Sequence, residues 1–154
     1  MKLWILRHAR AEHHSETGRD IDRSLDERGF LACRHLNRWL RETPHSLPKQ
    51  ARVSPALRTQ QTAQQSFKGL SVDYVLENGL WLASYQDLLE QIEAARSEGE
   101  LLLVGHNPGL EELILRLGGL LPVPGLKPGT LVIMDLLDQP PAQLLEVVPP
   151  KETT

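Results

Sequence analysis

One cysteine in 154 residues, Cys33, has no partner for an intrachain disulfide, so the sequence does not ask for an oxidising compartment. Long hydrophobic runs are also missing. The longest, residues 101–104 and 131–134 among them, fall far short of the roughly 20 residues a membrane span needs. Only four apolar residues in a row precede Arg7, too few for the core of a secretory signal. Nor is there an excess of positive charge. Seventeen Lys and Arg stand against 20 Asp and Glu, a formal net charge of −3. That balance gives no bulk attraction to nucleic acid or to an anionic membrane. No internal repeat or low-complexity tract is present. These absences point to a cytoplasmic protein with neither a nucleic-acid nor a membrane partner. The length suits one folding unit over 1–150, with 151–154 expected to fray after Pro149 and Pro150.

What is present starts with Leu3-Trp4-Ile5-Leu6, a short apolar run that ends in Arg7 and His8. Such a run reads as a buried strand. Its carboxyl end is where ligands bind in open α/β sheets. A polar loop follows over 11–22. Ser24 and Glu27 fit a capping box, with Asp26 as a second cap, for a first helix ended by Pro44 and Pro48. Residues 51–53 read as a second strand. Ser54 and Pro55 then suggest a helix cap and first helical residue, which puts Arg58 in the first turn. This helix runs to about Phe67, and 72–76 is the third strand. The third helix is expected over 84–98, stopped by Gly99. Residues 101–104 form the strongest strand, followed by Gly105-His106-Asn107-Pro108. Asn107 and Pro108 can cap and open a fourth helix. Residues 118–128 read as a loop, and 131–134 and 144–148 as two closing strands. Alternating strands and helices predict an α/β fold, a three-layer α/β/α unit with a mostly parallel sheet.

Three strand-to-helix junctions therefore carry polar residues a core does not need: Arg7-His8, Ser54-Pro55-x-x-Arg58 and Gly105-His106-Asn107-Pro108. Arg23, before the first helix, is a fourth candidate. Guanidinium forks and helix N-termini at one sheet end make a pocket for phosphate. Two histidines there can act as a nucleophile and as a stabiliser of charge. Each motif alone has a plainer explanation as capping, surface charge or a hydrogen-bonded structural histidine. Their coincidence at one end of one sheet favours a site. Cys33 lies on a helical apolar face and Trp39 stands six residues on, where a cysteine phosphatase would need arginine. His13, His14 and Glu12, taken with His8, match no compact metal-ligand spacing. His35 and His45 read as surface and Trp39 as core. Trp4 and Trp81 fit either core or cleft.

Leu6-Arg7-His8-Ala9, Asp22-Arg23-x-Leu25, Val53-Ser54-Pro55-x-x-Arg58-x-x-Gln61-Thr62 and Val104-Gly105-His106-Asn107-Pro108 together resemble the histidine phosphatase superfamily. The resemblance is closest to its small SixA-like branch, described as protein phosphohistidine phosphatases. It implies a phosphoglycerate-mutase-like fold and a phosphatase with no cofactor and no metal. By the resemblance His8 is the transiently phosphorylated nucleophile. Arg7, Arg58 and His106 form the phosphate pocket, and Arg23 reaches the phosphate as well. Ala9 departs from the usual glycine, but its methyl is small. Glu77, at the end of the third strand, is the candidate general acid, although its surroundings do not match the usual acid motif. An imidazole leaving group needs less acid help, which leans toward a P–N substrate. The expected partner is thus a protein carrying phosphohistidine, or else a small phosphorylated molecule. A phosphatase of small phosphomonoesters is the alternative enzyme, and a non-catalytic phosphate- or phosphoprotein-binding module the alternative of another class. The sequence leaves the oligomeric state open and is compatible with a monomer. An attacking histidine must be neutral; an ordinary histidine, with a pKa of about 6.5, is mostly so at pH 7, and neighbouring guanidiniums should lower that value further. The rate constant kcat/KM should fall on acidification as His8 protonates, and a profile flat down to pH 5 is expected to count against His8 as the base form.

Overall fold

The computed structural model describes residues 1–118, 121 and 125–154. Part of the loop expected over 118–128 therefore lies outside the described residues. Six strands form one sheet: β1 (Lys2–Arg7), β2 (Gln50–Val53), β3 (Asp73–Leu76), β4 (Glu100–Gly105), β5 (Leu131–Asp135) and β6 (Gln143–Val148), in the order β3-β2-β4-β1-β5-β6. The first four are mutually parallel, and β5 and β6 close the edge antiparallel. Four helices accompany them: α1 (Glu27–Glu42), α2 (Leu57–Ser66), α3 (Tyr85–Ala95) and α4 (Gly109–Arg116).

The layers follow from the period of two along the central strands. Leu3, Ile5, Leu101 and Leu103 face one side, where they pack with Leu88 and Ile92 of α3 and Leu110, Leu113 and Ile114 of α4. Trp4, Leu6, Leu102 and Val104 face the other, against Leu36 and Leu40 of α1 and Ala63 and Phe67 at α2. Both faces are covered, which is why β1 and β4 carry unbroken apolar runs. The expected three-layer α/β unit is the observed fold. Among the described residues, no helix is long and apolar enough to cross a membrane.

Several helix starts differ from expectation. Asp26, not Ser24, caps α1, its carboxylate accepting from the Gly29 amide at 2.8 Å. Ser24 cannot do so because its hydroxyl goes to Gln61, which also takes the Leu25 amide. Helix α2 opens at Leu57 with Ala56 as cap. Ser54 stays extended because its amide continues the ladder to the Val104 carbonyl. Helix α4 starts at Gly109, one residue later than Pro108, while the Asn107 side chain accepts from the Glu111 amide. Helix α3 ends at Ala95 and tightens into a 3-10 turn (Arg96–Glu98) before Gly99, at φ 75°. Ser84 caps it in a reciprocal pair with Asp87. Trp4 is core, and Trp39 packs partly buried against the same cluster. His45 is half-buried, edge-on to Trp4. His35 is half-buried too, its Nε2 2.8 Å from the Thr153 carbonyl.

Candidate active site

Parallel register assembles the site. Arg7 is level with Gly105 across the β1–β4 ladder, so the next residues, His8 and His106, leave the sheet side by side. Val53 pairs with Val104 and with Leu76, which brings Ser54 and Glu77 to the same end. The two imidazole rings lie 5.4 Å apart. Arg58, second residue of α2, passes over the Trp81 ring at 5.5 Å, and Trp81 meets His106 edge-on at 5.3 Å. Trp81 therefore belongs to the cleft. The site is nearly closed: His8 is 8% exposed, His106 7% and Arg58 4%.

The hydrogen bonds of His8 decide its tautomer. Its Nδ1 lies 2.8 Å from the Ala9 carbonyl, which can only accept. Nδ1 therefore carries the proton, and the neutral ring keeps its lone pair on Nε2. Ala9 is itself fixed, fully buried, with its amide donating to Thr62 Oγ1 at 3.0 Å. The alanine methyl is thus accommodated. His106 Nε2 is 2.7 Å from the buried Ser54 hydroxyl. When that hydroxyl donates, the His106 proton sits on Nδ1, a buried atom with no protein partner.

Burial pushes the His8 pKa down to about 3, with the Ala9 bond opposing and His106, Arg58 and Arg7 reinforcing the drop. Burial likewise lowers His106 to about 4, helped by Arg58. Both rings are neutral at pH 7. This corrects the expectation that a profile flat to pH 5 would count against His8: with burial holding its pKa near 3, a neutral His8 itself gives a rate that stays flat to pH 5.

The arginines are anchored on protein acceptors. Arg7 Nη1 donates to the Leu126 carbonyl at 2.7 Å. Leu126 is held in turn by Asn107 on its carbonyl and by Glu111 on its amide. Arg58 gives Nη1 to the Asp20 carbonyl (2.9 Å) and Nη2 to the Asp20 carboxylate (3.1 Å). Arg23 gives Nε to the other Asp20 oxygen at 2.8 Å and Nη1 to the Glu12 carbonyl. Burial lowers the Arg7 and Arg58 pKa values, with Glu111 and Asp20 respectively opposing, but a guanidinium stays charged. The Nε atoms of Arg7 and Arg58 are buried with no partner. Buried, incompletely paired positive charge favours an anion.

The structure thus brings Arg7, His8, Arg58 and His106 together and joins Arg23 to Arg58 through Asp20. Glu77 lies at the same sheet end, but its carboxylate accepts from the Gly79 amide at 3.1 Å, capping a 3-10 turn (Asn78–Leu80). Cys33 is core, its thiol pushed up to about 11 by burial. His13 and His14 are exposed in the 11–22 loop. Among the described residues no three His, Cys, Asp or Glu side chains are grouped to hold a metal. Sequence reasoning missed Asp20, Thr62 as the anchor of Ala9, and the role of Ser54 in holding His106. The Ser54 signal was present in the Ser-Pro-x-x-Arg motif but carried a capping reading. Asp20, in an exposed loop, had no periodic signal.

A family model described as histidine phosphatase superfamily (branch 1) matches residues 3–81, just over half of the chain. Among solved structures, a candidate SixA phosphohistidine phosphatase from Agrobacterium tumefaciens is 26% identical, with a TM-score of 0.84 over 97% of this chain and 98% of that one. The protein histidine phosphatase SixA complexed with tungstate gives 21% identity and a TM-score of 0.79, with 96% of both chains covered. A candidate alpha-ribazole-5'-P phosphatase from Escherichia coli gives 18% and 0.68, with both chains fully covered. At these last two identities the likeness is one of fold. No curated protein sequence matches the chain.

Proposed function

Because this chain belongs to the histidine phosphatase superfamily, we propose that it is a phosphatase that works through a phosphorylated His8 and that it removes phosphate from phosphohistidine on a protein. The observation that carries this reading is the fixed tautomer of His8, protonated on Nδ1 by the bond to Ala9, beside His106 and the arginines. Nε2 attacks phosphorus in line, and the bond from phosphorus to the leaving nitrogen or oxygen breaks. Arg7, Arg58, Arg23 and His106 stabilise the charge on the equatorial oxygens. Water then attacks the phosphohistidine, the N–P bond breaks, and His8 is restored with release of inorganic phosphate. The arginines supply the positive charge.

The proton supply favours a P–N substrate. Burial raises the Asp20 pKa, but bonds and charge from Arg23 and Arg58 outweigh it and hold the group below its ordinary value, ionised. Glu77 is engaged with Gly79. Neither carboxyl is poised as a general acid. An imidazole leaving group can already carry a proton on its second nitrogen and then departs neutral, whereas an alkoxide must be given one. The likeness to a SixA phosphohistidine phosphatase at 26% identity supports the same choice. The small-phosphomonoester reading draws on the alpha-ribazole-5'-P phosphatase neighbour, whose resemblance is of fold alone.

The test sets a phosphohistidine protein beside an aryl phosphomonoester. Wild type should act much faster on the first, and His8→Ala should lose about 10³-fold or more on both while still binding phosphate. The reverse preference would move the protein to the small-molecule phosphatases, where Glu77→Gln should then slow ester turnover. Phosphate binding without turnover by the wild type would make it a binding module.

A further inference from the structure

We propose that Asp20 is an internal anion that occupies the arginine seat of the substrate phosphoryl group, so that a substrate must displace it to bind. The inference rests on the phosphatase reading of this pocket and adds the control of entry to it. The two carboxylate oxygens of Asp20 are divided between two guanidiniums, Oδ2 on Arg58 and Oδ1 on Arg23. Its main-chain carbonyl takes the remaining terminal nitrogen of Arg58. The third nitrogen of Arg58, Nε, is buried with no partner. Both terminal nitrogens of Arg58 thus each give one N–H to Asp20, and in the proposed exchange a phosphoryl group takes these donors in place of that residue.

Asp20 is built to yield. Its side chain is 55% exposed, and it opens a one-turn 3-10 segment (Asp20–Asp22) with no buried residue. Water reaches the Asp20 carboxylate and screens its pairing with the arginines. A phosphoryl dianion offers three oxygens and more charge than one carboxylate, so it wins the exchange. Between turnovers the carboxylate neutralises guanidinium charge that would otherwise bind product phosphate. Asp20 is thus a competitor of both substrate and product.

The measurement is inhibition by inorganic phosphate, together with direct calorimetric binding of phosphate, in wild type, Asp20→Asn, Asp20→Ala and Asp22→Asn. Asp22 removes the same charge from the same turn without touching either arginine, and thermal melting verifies that each variant is folded. Both Asp20 variants should bind phosphate about two- to fivefold tighter, with KM falling in parallel and kcat not rising, while Asp22→Asn stays near wild type. Weaker phosphate binding and a raised KM in the Asp20 variants would overturn the proposal and make Asp20 a positioning residue for the arginines. Equal tightening by Asp22→Asn would also overturn it, as an effect of net charge alone. Calorimetric binding does not depend on turnover. Tightening in a protein with no phosphatase activity would sustain the Asp20 exchange and defeat the catalytic reading. Turnover with unchanged binding in the Asp20 variants would do the opposite.

Discussion

At the scale of single residues, the site works by keeping two histidines neutral among charges of the same sign. Burial lowers both pKa values, to about 3 for His8 and about 4 for His106, below the ordinary 6.5. A histidine whose folded pKa is depressed takes up protons more readily in the unfolded chain. Stability from these two rings is therefore present above about pH 6.5 and is lost as pH falls toward 4 and 3. Melting temperatures recorded from pH 7.5 to pH 4 should decline over that window, and less steeply in His8→Asn than in wild type. In the proposed mechanism the same shift governs rate. Once corrected for the substrate's own ionisation, kcat/KM should stay flat to about pH 5 and fall only below it. A limb centred near pH 6.5 would mean that His8 is not held as described.

Elements bring these residues together, and close backbone approaches set where the elements sit. A Cβ on Gly29, in the first turn of α1, would overlap the Arg10 carbonyl, and one on Gly109 would overlap the Ala83 carbonyl. The first approach ties α1 to the segment leaving His8, where the Arg10 carbonyl also accepts from the Asp26 amide. Gly29→Ala should cost about 1–3 kcal/mol, a fall in Tm of about 3–10 °C, and should reduce activity more than heat-stability alone explains. A melting curve unchanged from wild type would show that the loop can move aside freely. At this scale much is legible in the sequence. Strands β1 and β4 stand out because burial on both faces makes their runs continuous, and the helices stand out by their apolar stripes. Helix starts are less legible. Ser54-Pro55 carries the composition of a cap, yet the β2–β4 ladder keeps Ser54 extended and gives its hydroxyl to His106. Ser24 fails as a cap for a similar reason, a tertiary partner in Gln61. Asp20 carries no pattern at all, because its partners are arginines 3 and 38 positions away, met through the fold.

For the whole molecule, a chain with net charge −3 gathers three arginines at one end of one sheet. Parallel register then sets two histidines side by side between helices on both faces. In the proposed mechanism phosphate passes through His8. The most direct measurement mixes the protein with a phosphohistidine substrate protein, quenches in alkali at successive times, and locates the phosphate on the chain by mass spectrometry. An alkali-stable, acid-labile phosphate should appear on His8 and decay as inorganic phosphate is released, and it should be absent from His8→Ala, which should release none. Release by His8→Ala at the wild-type rate, or transient phosphate on another residue, would contradict the mechanism.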